Sequence, residues 1–403
     1  MTGSLLALVA LGKQDSEFVG NPEISFFKNV YKHHTHFAVE SIPIHFDQGL
    51  ILGKKTTVVI PRKADLLSRM VLELRLPALT PTISWINATG HSLIKEISIE
   101  IGGIKIDSQT GEFMEILSSI ELSEEKKNGY YAMIAKHDNY NRFSQTDETT
   151  LFIPLQFWFC RHISQALPMV GLQYHEIKVN LVLRDFDEAW YSGSTMTDRP
   201  PSTIYNINGF LHCDFIFLSS QERRFFAQGE HRYLIEQIQM HDGNGVARNT
   251  VNDNIEIFFN HPVKELFWIY KADAISNTND WLNFSKTMNY IEAQLEPQEP
   301  IKACQWKING HDLMEEKSGA YFRLVNTYKY YNRIPKNFVY VHSFSMEPHR
   351  FQPSGHLNFS MLNSVILSLT YTDNIPDGSV TVYARNYNIL EIKAGQGALV
   401  YSA

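Results

Sequence analysis

The feature that most constrains this chain is the strict alternation of apolar and polar residues in short runs. Residues 93–101 read Leu-Ile-Lys-Glu-Ile-Ser-Ile-Glu-Ile, which places Ile97, Ile99 and Ile101 on one face and Glu96, Ser98 and Glu100 on the other. A period of two suits a half-buried strand, whose successive side chains point to opposite faces. Gly102-Gly103 supplies two residues that tolerate positive φ, and residues 104–107 resume the pattern, so the stretch reads as a hairpin. Similar runs lie at 72–76, 176–183, 255–259, 338–346, 365–371 and 380–384, with Pro, Gly and Asn between them. Many short strands punctuated in this way predict an all-β antiparallel sandwich or barrel.

The two halves of the chain repeat weakly. Ile101-Gly102-Gly103-Ile104 is answered by Ile308-Asn309-Gly310-His311, and residues 175–181 by residues 363–369, in the same order. Two copies of one unit of about 200 residues explain this, each the size of an eight-stranded jelly roll. Helices are few: residues 118–135 hold one candidate, opened near Ser123-Glu124-Glu125, and residues 219–228 another, with Ser219 or Ser220 as N-cap. The second falls between the strand-rich halves and reads as their connector. Residues 185–209 and 271–300 read as polar surface loops, where a rigid sandwich carries recognition.

The balance of 36 Lys and Arg against 43 Asp and Glu gives a net charge of −7. Coating nucleic acid requires an excess of basic side chains, so no specific nucleic-acid partner is expected. Cys160, Cys213 and Cys304 stand far apart with no CxxC spacing, which argues against a disulfide framework or structural zinc and fits a reducing compartment. No run approaches the roughly 18 apolar residues of a membrane-spanning helix. Residues 5–11 are apolar but short, with no basic residue before them, and read as a docking strand or arm, not a signal peptide.

The chain has no GxxxxGK(S/T), GxSxG or HExxH motif, and its two GxG triplets, at 243–245 and 395–397, read as turns. With no nucleophile, base and electrophile brought together, neither an enzyme nor a cofactor is expected. His33, His34 and His36 form the densest imidazole cluster. Neighbours on a strand diverge and no carboxylate stands at ligand spacing, so a polar patch beside Lys28 and Lys32 is expected and not a metal site. His175-Glu176 and Asp185-Phe186-Asp187 are read as structural on the same ground. Asn87, Asn283 and Asn358 each open a sequon and are candidate glycosylation sites should the chain meet a glycosyltransferase.

The segment Gly20-Asn21-Pro22-Glu23-Ile24-Ser25-Phe26-Phe27-Lys28-Asn29-Val30-Tyr31, continued to Ile42, closely resembles the N-terminal signature of the major capsid proteins of nucleocytoplasmic large DNA viruses. The resemblance returns at residues 99–107, 166–176, 221–228, 259–264, 352–360 and 383–390, and the opening, Leu8-Val9-Ala10 with Gln14-Asp15, is similar to the algal-virus branch. It implies two consecutive eight-stranded antiparallel jelly rolls, a double jelly-roll, in a structural protein of the virion. It implies a homotrimer that forms a pseudo-hexagonal capsomer of an icosahedral shell, with neighbouring capsomers, minor capsid proteins and inner viral membrane proteins as partners, assembled in the host cytoplasm. On this basis residues 1–24 are an N-terminal arm, 25–218 the first jelly roll, 219–228 a connector helix and 229–403 the second. Residues 1–37 are expected to run beneath the capsomer, with Phe26, Phe27 and Tyr31 as aromatic anchors of assembly.

Two departures qualify the resemblance. The signature has basic residues where His33 and His34 stand, and the chain is short for the family, with small tower loops at 185–209 and 271–300. A less abundant paralogous capsomer is therefore one alternative, and a jelly-roll protein that recognises host glycans on the virion surface is the other.

Overall fold

The computed structural model describes residues 3–46, 49–79, 83–137, 148–191, 206–287 and 298–402. Contacts divide the chain into two units, one ending at His36 and the other beginning at Phe37. In the first, Gly3–Val9 and Ser16–Val19 are helical and bury nothing. The docking strand expected at 5–11 is thus largely a helix, because Leu and Ala in Gly-Ser-Leu-Leu-Ala-Leu-Val favour that conformation and no β-branched residue intervenes before Val9.

Short two-residue strands aside, the second unit opens with β1 (Phe37–His45), β2 (Lys55–Val59), β3 (Leu66–Leu76), β4 (Ile94–Ile101), β5 (Ile104–Gln109), β6 (Thr149–Pro154), β7 (Ile177–Leu183) and β8 (Asn206–Leu218). They form two antiparallel sheets with main paths β1-β8-β3-β6 and β2-β7-β4-β5. Eight more follow: β9 (His231–Val246), β10 (Asn252–Glu256), β11 (Pro262–Ala272), β12 (Ile301–Ile308), β13 (His311–Asp312), β14 (Tyr340–Ser343), β15 (Val365–Tyr371) and β16 (Gly378–Lys393). Their sheets run β9-β16-β11-β14 and β10-β15-β12-β13. Raising every strand number of the first set by eight gives the second, so one jelly-roll order occurs twice. A two-residue strand, Leu167–Pro168, joins β3, and its counterpart, Leu357–Asn358, joins β11.

The matching hairpins share their chemistry. Ile101 pairs with Ile104 across Gly102 and Gly103, at φ +60° and +83°, and Ile308 pairs with His311 across Asn309 and Gly310, at +50° and +82°. Positive φ at both central residues makes the type I′ turn, whose twist matches that of the flanking strands. Gly111 and Gly319 also correspond: a Cβ at either would collide with the carbonyl of Ile94 or of Ile301, the first residues of β4 and β12.

Each sandwich closes on apolar side chains from both sheets. Ile97, Ile99 and Ile101 are buried, as the alternation requires. In the second, Trp268 of β11 packs edge-on to Trp306 of β12 at 5.5 Å and stacks on Tyr340 of β14 at 6.0 Å. Burial of each such side chain contributes about 1.5–3 kcal/mol.

The longer helices between the strands are α1 (Gly111–Glu121), α2 (Glu124–Met133), α3 (Ser220–Gln228) and α4 (Asn326–Tyr330), the last continuing a π-helical turn, Tyr321–Val325. The single helix expected within 118–135 is really two, broken where Leu122 turns extended, and the first begins earlier. Thr110 caps it by accepting from the Phe113 amide at 3.2 Å. Residues 111–120 are all buried, including the polar stripe of Glu112, Glu115 and Ser119, so the helix is packed on every side. α3 lies where the connector was expected, and Ser219 holds its N-cap position without a side-chain capping bond.

Candidate assembly site: the seam between the jelly rolls

The sheet β9-β16-β11-β14 has one face in its own core. Elements of the first jelly roll lie over the other. From α1, Phe113 meets Phe267 of β11 at 6.0 Å and Tyr383 of β16 at 5.4 Å between ring centres. Thr110 shares a hydrogen bond of 3.2 Å with the Tyr383 hydroxyl. Strand β5 runs against β9: the Ile238 amide donates to Asp107 at 3.0 Å, and the Gln237 side chain donates to the Ile106 carbonyl. Burial pushes the Asp107 carboxyl up to about 6, against the pull of the Ile238 and Gln109 donors.

An ion cluster fills the middle of the seam. Arg385 of β16 is 0% exposed. It pairs with Glu265 on β11, with Glu121 at the end of α1 at 2.7 Å, and more distantly with Glu236 of β9 at 3.6 Å. Arg161 reaches Glu121 at 2.7 Å and Glu236 at 2.8 Å, and Lys264 also pairs with Glu236. Glu121 and Arg161 belong to the first jelly roll and the others to the second, so Arg385–Glu121 and Arg161–Glu236 cross the seam, while Arg161–Glu121, Arg385–Glu265 and Lys264–Glu236 pair on one side of it. Burial pushes the Glu121 carboxyl up, but Arg161 and Arg385 outweigh it and hold it at about 2. Glu265 goes the other way: its burial outweighs Arg385 and Lys264 and raises it above the ordinary carboxylate value. The Tyr331 hydroxyl donates to its remaining oxygen. A cavity of about 430 Å³ opens beside the cluster, lined by Glu121, Arg161, His162, Glu236, Arg350 and Tyr387 among others.

The ends of the seam are tied by backbone groups. Asn279 donates to the carbonyls of Asp187 at 2.7 Å and Trp190 at 2.9 Å, and the Trp281 indole donates to Glu188 at 2.9 Å. The Arg184 guanidinium lies 4.0 Å above the Trp281 ring. His175 Nδ1 stands 3.2 Å from the amide nitrogen and 3.1 Å from the carbonyl oxygen of Gly397. Part of the loop expected at 271–300 is therefore buried, with Leu282 and Phe284 in the core. Residues 192–205 and 288–297, the middles of the two expected tower loops, lie outside the described residues.

Phe26, Phe27 and Tyr31 belong to the unit that ends at His36 and are 88%, 99% and 79% exposed. Asn283 is buried, donating to Asp280 at 3.0 Å and accepting from Ser285, so a glycan there requires attachment before folding. Asn87 is half-buried and accepts from the Ala88 and His137 amides, and its sequon partner Thr89 is buried. Asn358 is half-buried and accepts from the Ser360 amide at 3.1 Å. Among the described residues no group of three or more metal-ligating side chains is gathered. The ion cluster itself escaped the sequence: its members are scattered along the chain, and the local sign is an arginine set in the otherwise uncharged run 378–390.

Two family models match successive parts of the chain. Residues 25–219 match the major capsid protein N-terminus, and residues 222–398 match the large eukaryotic DNA virus major capsid protein. This chain belongs to that major capsid protein family. Curated relatives include the major capsid proteins of Pyramimonas orientalis virus, at 34% identity, and Phaeocystis pouchetii virus, at 31%, each match covering 100% of both chains. Among solved structures, PBCV-1 VP54 superposes with a TM-score of 0.81 at 27% identity, over 94% of this chain and 100% of that one. The Faustovirus major capsid protein shares the fold, with a TM-score of 0.75 at 13% identity. The chain is a double jelly-roll capsid protein of a large DNA virus. It resides in the virion and assembles with itself and with neighbouring capsomers into the capsid lattice. Its relatives are structural proteins, and its task is likewise structural, not enzymatic.

Proposed function

We propose that three copies associate into a pseudo-hexagonal capsomer that tiles an icosahedral shell. The observation that carries this is the duplication itself: two jelly rolls of identical strand order sit side by side in one chain, so three chains present six similar units. The chain is divided as an arm (1–24), a first jelly roll (25–218), a connector helix (219–228) and a second jelly roll (229–403). The exposed aromatic side chains Phe26, Phe27 and Tyr31 anchor the N-terminal region on partners beneath the capsomer, namely neighbouring capsomers, minor capsid proteins and inner membrane proteins. Assembly takes place in the host cytoplasm.

Electron microscopy of the purified full-length chain tests the capsomer: trimers with a six-lobed outline are expected, and a monomer or an outline of another symmetry refutes it. Deleting residues 1–20 is expected to leave trimers intact and to reduce shell formation in cells. Normal particles from that deletion would refute the role of the arm.

A further inference from the structure

The duplication maps the seam inside the chain onto an open face elsewhere on it. In the second jelly roll the outer face of β9-β16-β11-β14 lies under α1. Within its own unit, the matching face of the first, on β1-β8-β3-β6, is covered at one end, where Phe226 of α3 packs with Leu66 and Ile216, and has no such helix over the rest among the described residues. Its outward side chains include Val39, 52% exposed, with Phe37 and Phe152 also exposed. The matching helical segment of the second jelly roll, Tyr321–Val325 with α4, follows β13 as α1 follows β5. It exposes Leu324, Val325, Tyr328 and Lys329, spaced so as to form one stripe, and Tyr328 is 77% exposed.

The register shows what meets there. Leu67 and Val263 correspond, since each pairs with the first residue of the short accessory strand, Leu167 or Leu357. Across the sheet Leu67 pairs with Phe215 and Val263 with Asn386. The preceding residues, at an irregularity present in both sheets, are Asp214 and Arg385. Asp214 lies between the buried Cys213 and Phe215, so its side chain faces outward, as that of Arg385 does. The inner seam thus joins an acid in the last turn of α1, Glu121, to a base on the sheet, Arg385. On the open surfaces both signs are reversed: Lys329 stands in the last turn of α4 and Asp214 on the sheet.

We propose that the Tyr321–Tyr330 segment of one copy docks on the β1-β8-β3-β6 face of a second copy, with Lys329 meeting Asp214. This contact repeats the inner seam with its charges exchanged. The exchange favours the correct partner face, because Lys329 against an arginine of the Arg385 type, or Glu121 against Asp214, sets like charges together. The contact is heterologous, two different patches meeting, and therefore propagates from copy to copy until a ring closes. The proposal rests on the trimer reading above and adds the faces and the charge pair to it.

Charge reversal tests it on the full-length chain. Lys329→Glu and Asp214→Lys are each expected to raise the concentration at which trimers fall apart about tenfold or more, measured by mass photometry across a dilution series. The double variant K329E/D214K is expected to return to within about threefold of the natural chain. Tyr328→Ser, at an exposed position, reads the same contact independently and is expected to weaken the trimer with the circular dichroism spectrum unchanged. A trimeric natural chain with both reversals and Tyr328→Ser without effect overturns the docking faces alone. Reversals that weaken the trimer without rescue in the double variant overturn the Lys329–Asp214 pair. A natural chain that stays monomeric at every concentration overturns the trimer reading and the docking with it.

Discussion

Replacing Arg385 by Met removes a cation that stands within ion-pair distance of all three seam carboxylates, while keeping much of the side-chain volume. The loss falls unequally. Glu121 and Glu236 keep Arg161, at 2.7 and 2.8 Å. Glu265, which is 0% exposed, keeps only the Tyr331 hydroxyl and the nearby charge of Lys264. Stranding one partner of a buried ion pair costs about 3–5 kcal/mol. For a cooperative unit of about 200 residues, each kcal/mol moves the melting temperature by roughly 2–4 °C, so Arg385→Met is expected to melt on the order of 10 °C lower. Adding Glu265→Leu takes away the stranded charge, and more than half of the loss is expected to return, since an apolar pair of similar volume is often neutral in such a site. The pH dependence has a definite sign. Glu265 already sits above its ordinary value, and losing Arg385 lifts it further. A carboxyl raised in the folded state binds its proton more tightly there than when unfolded, so the penalty is fully present at neutral pH and shrinks as the pH falls. Differential scanning fluorimetry at several pH values measures all of this. A shift under about 2 °C for Arg385→Met, or a double variant no more stable than the single, would show that the cluster is not what holds the two jelly rolls together.

Two further outcomes follow from local geometry. Asp107, with its carboxyl at about 6 against an ordinary 3.8, makes the folded chain about 3 kcal/mol less stable above pH 6 than below pH 4 relative to Asp107→Asn; denaturant titrations of both proteins across that window are expected to diverge as the pH rises. Gly103→Ala is expected to cost about 1 kcal/mol for its positive φ alone, whereas Gly102→Ala costs at least twice that, because its methyl group drives into the His175 ring and disturbs the Gly397 contact; equal melting temperatures for the two would contradict this.

What the sequence makes legible divides along physical lines. The strands, the two-glycine turn and its Asn-Gly counterpart are visible because alternation and positive φ are local demands, met by residues next to one another. The duplication is visible for the same reason, through the hairpins and the β7 and β15 runs. Contacts across the seam are not local. Glu121 and Arg385 are 264 positions apart, and nothing in either neighbourhood names the other. α1 differs: Glu112, Glu115 and Ser119 form a polar stripe at helical spacing, but nothing local shows that they too are buried. Residues 277–287 read as a polar loop, yet the side chains of Asn279 and Asn283 serve as buried hydrogen-bonding groups in place of water.

The connector α3 keeps the two jelly rolls in one chain, and this changes when the cluster around Arg385 must be desolvated. Stripping water from Arg385 and Glu265 is slow to repay if two free particles must first find each other and align. Within one chain the two faces are held at high effective concentration, and the step belongs to folding. A folded subunit then enters assembly with that barrier already behind it. The contacts left to diffusion are those made by the exposed Lys329 and the half-buried Asp214, which shed less water and let go more readily. An assembling shell gains from that difference, since a wrongly placed subunit is released whole, with its own seam still closed.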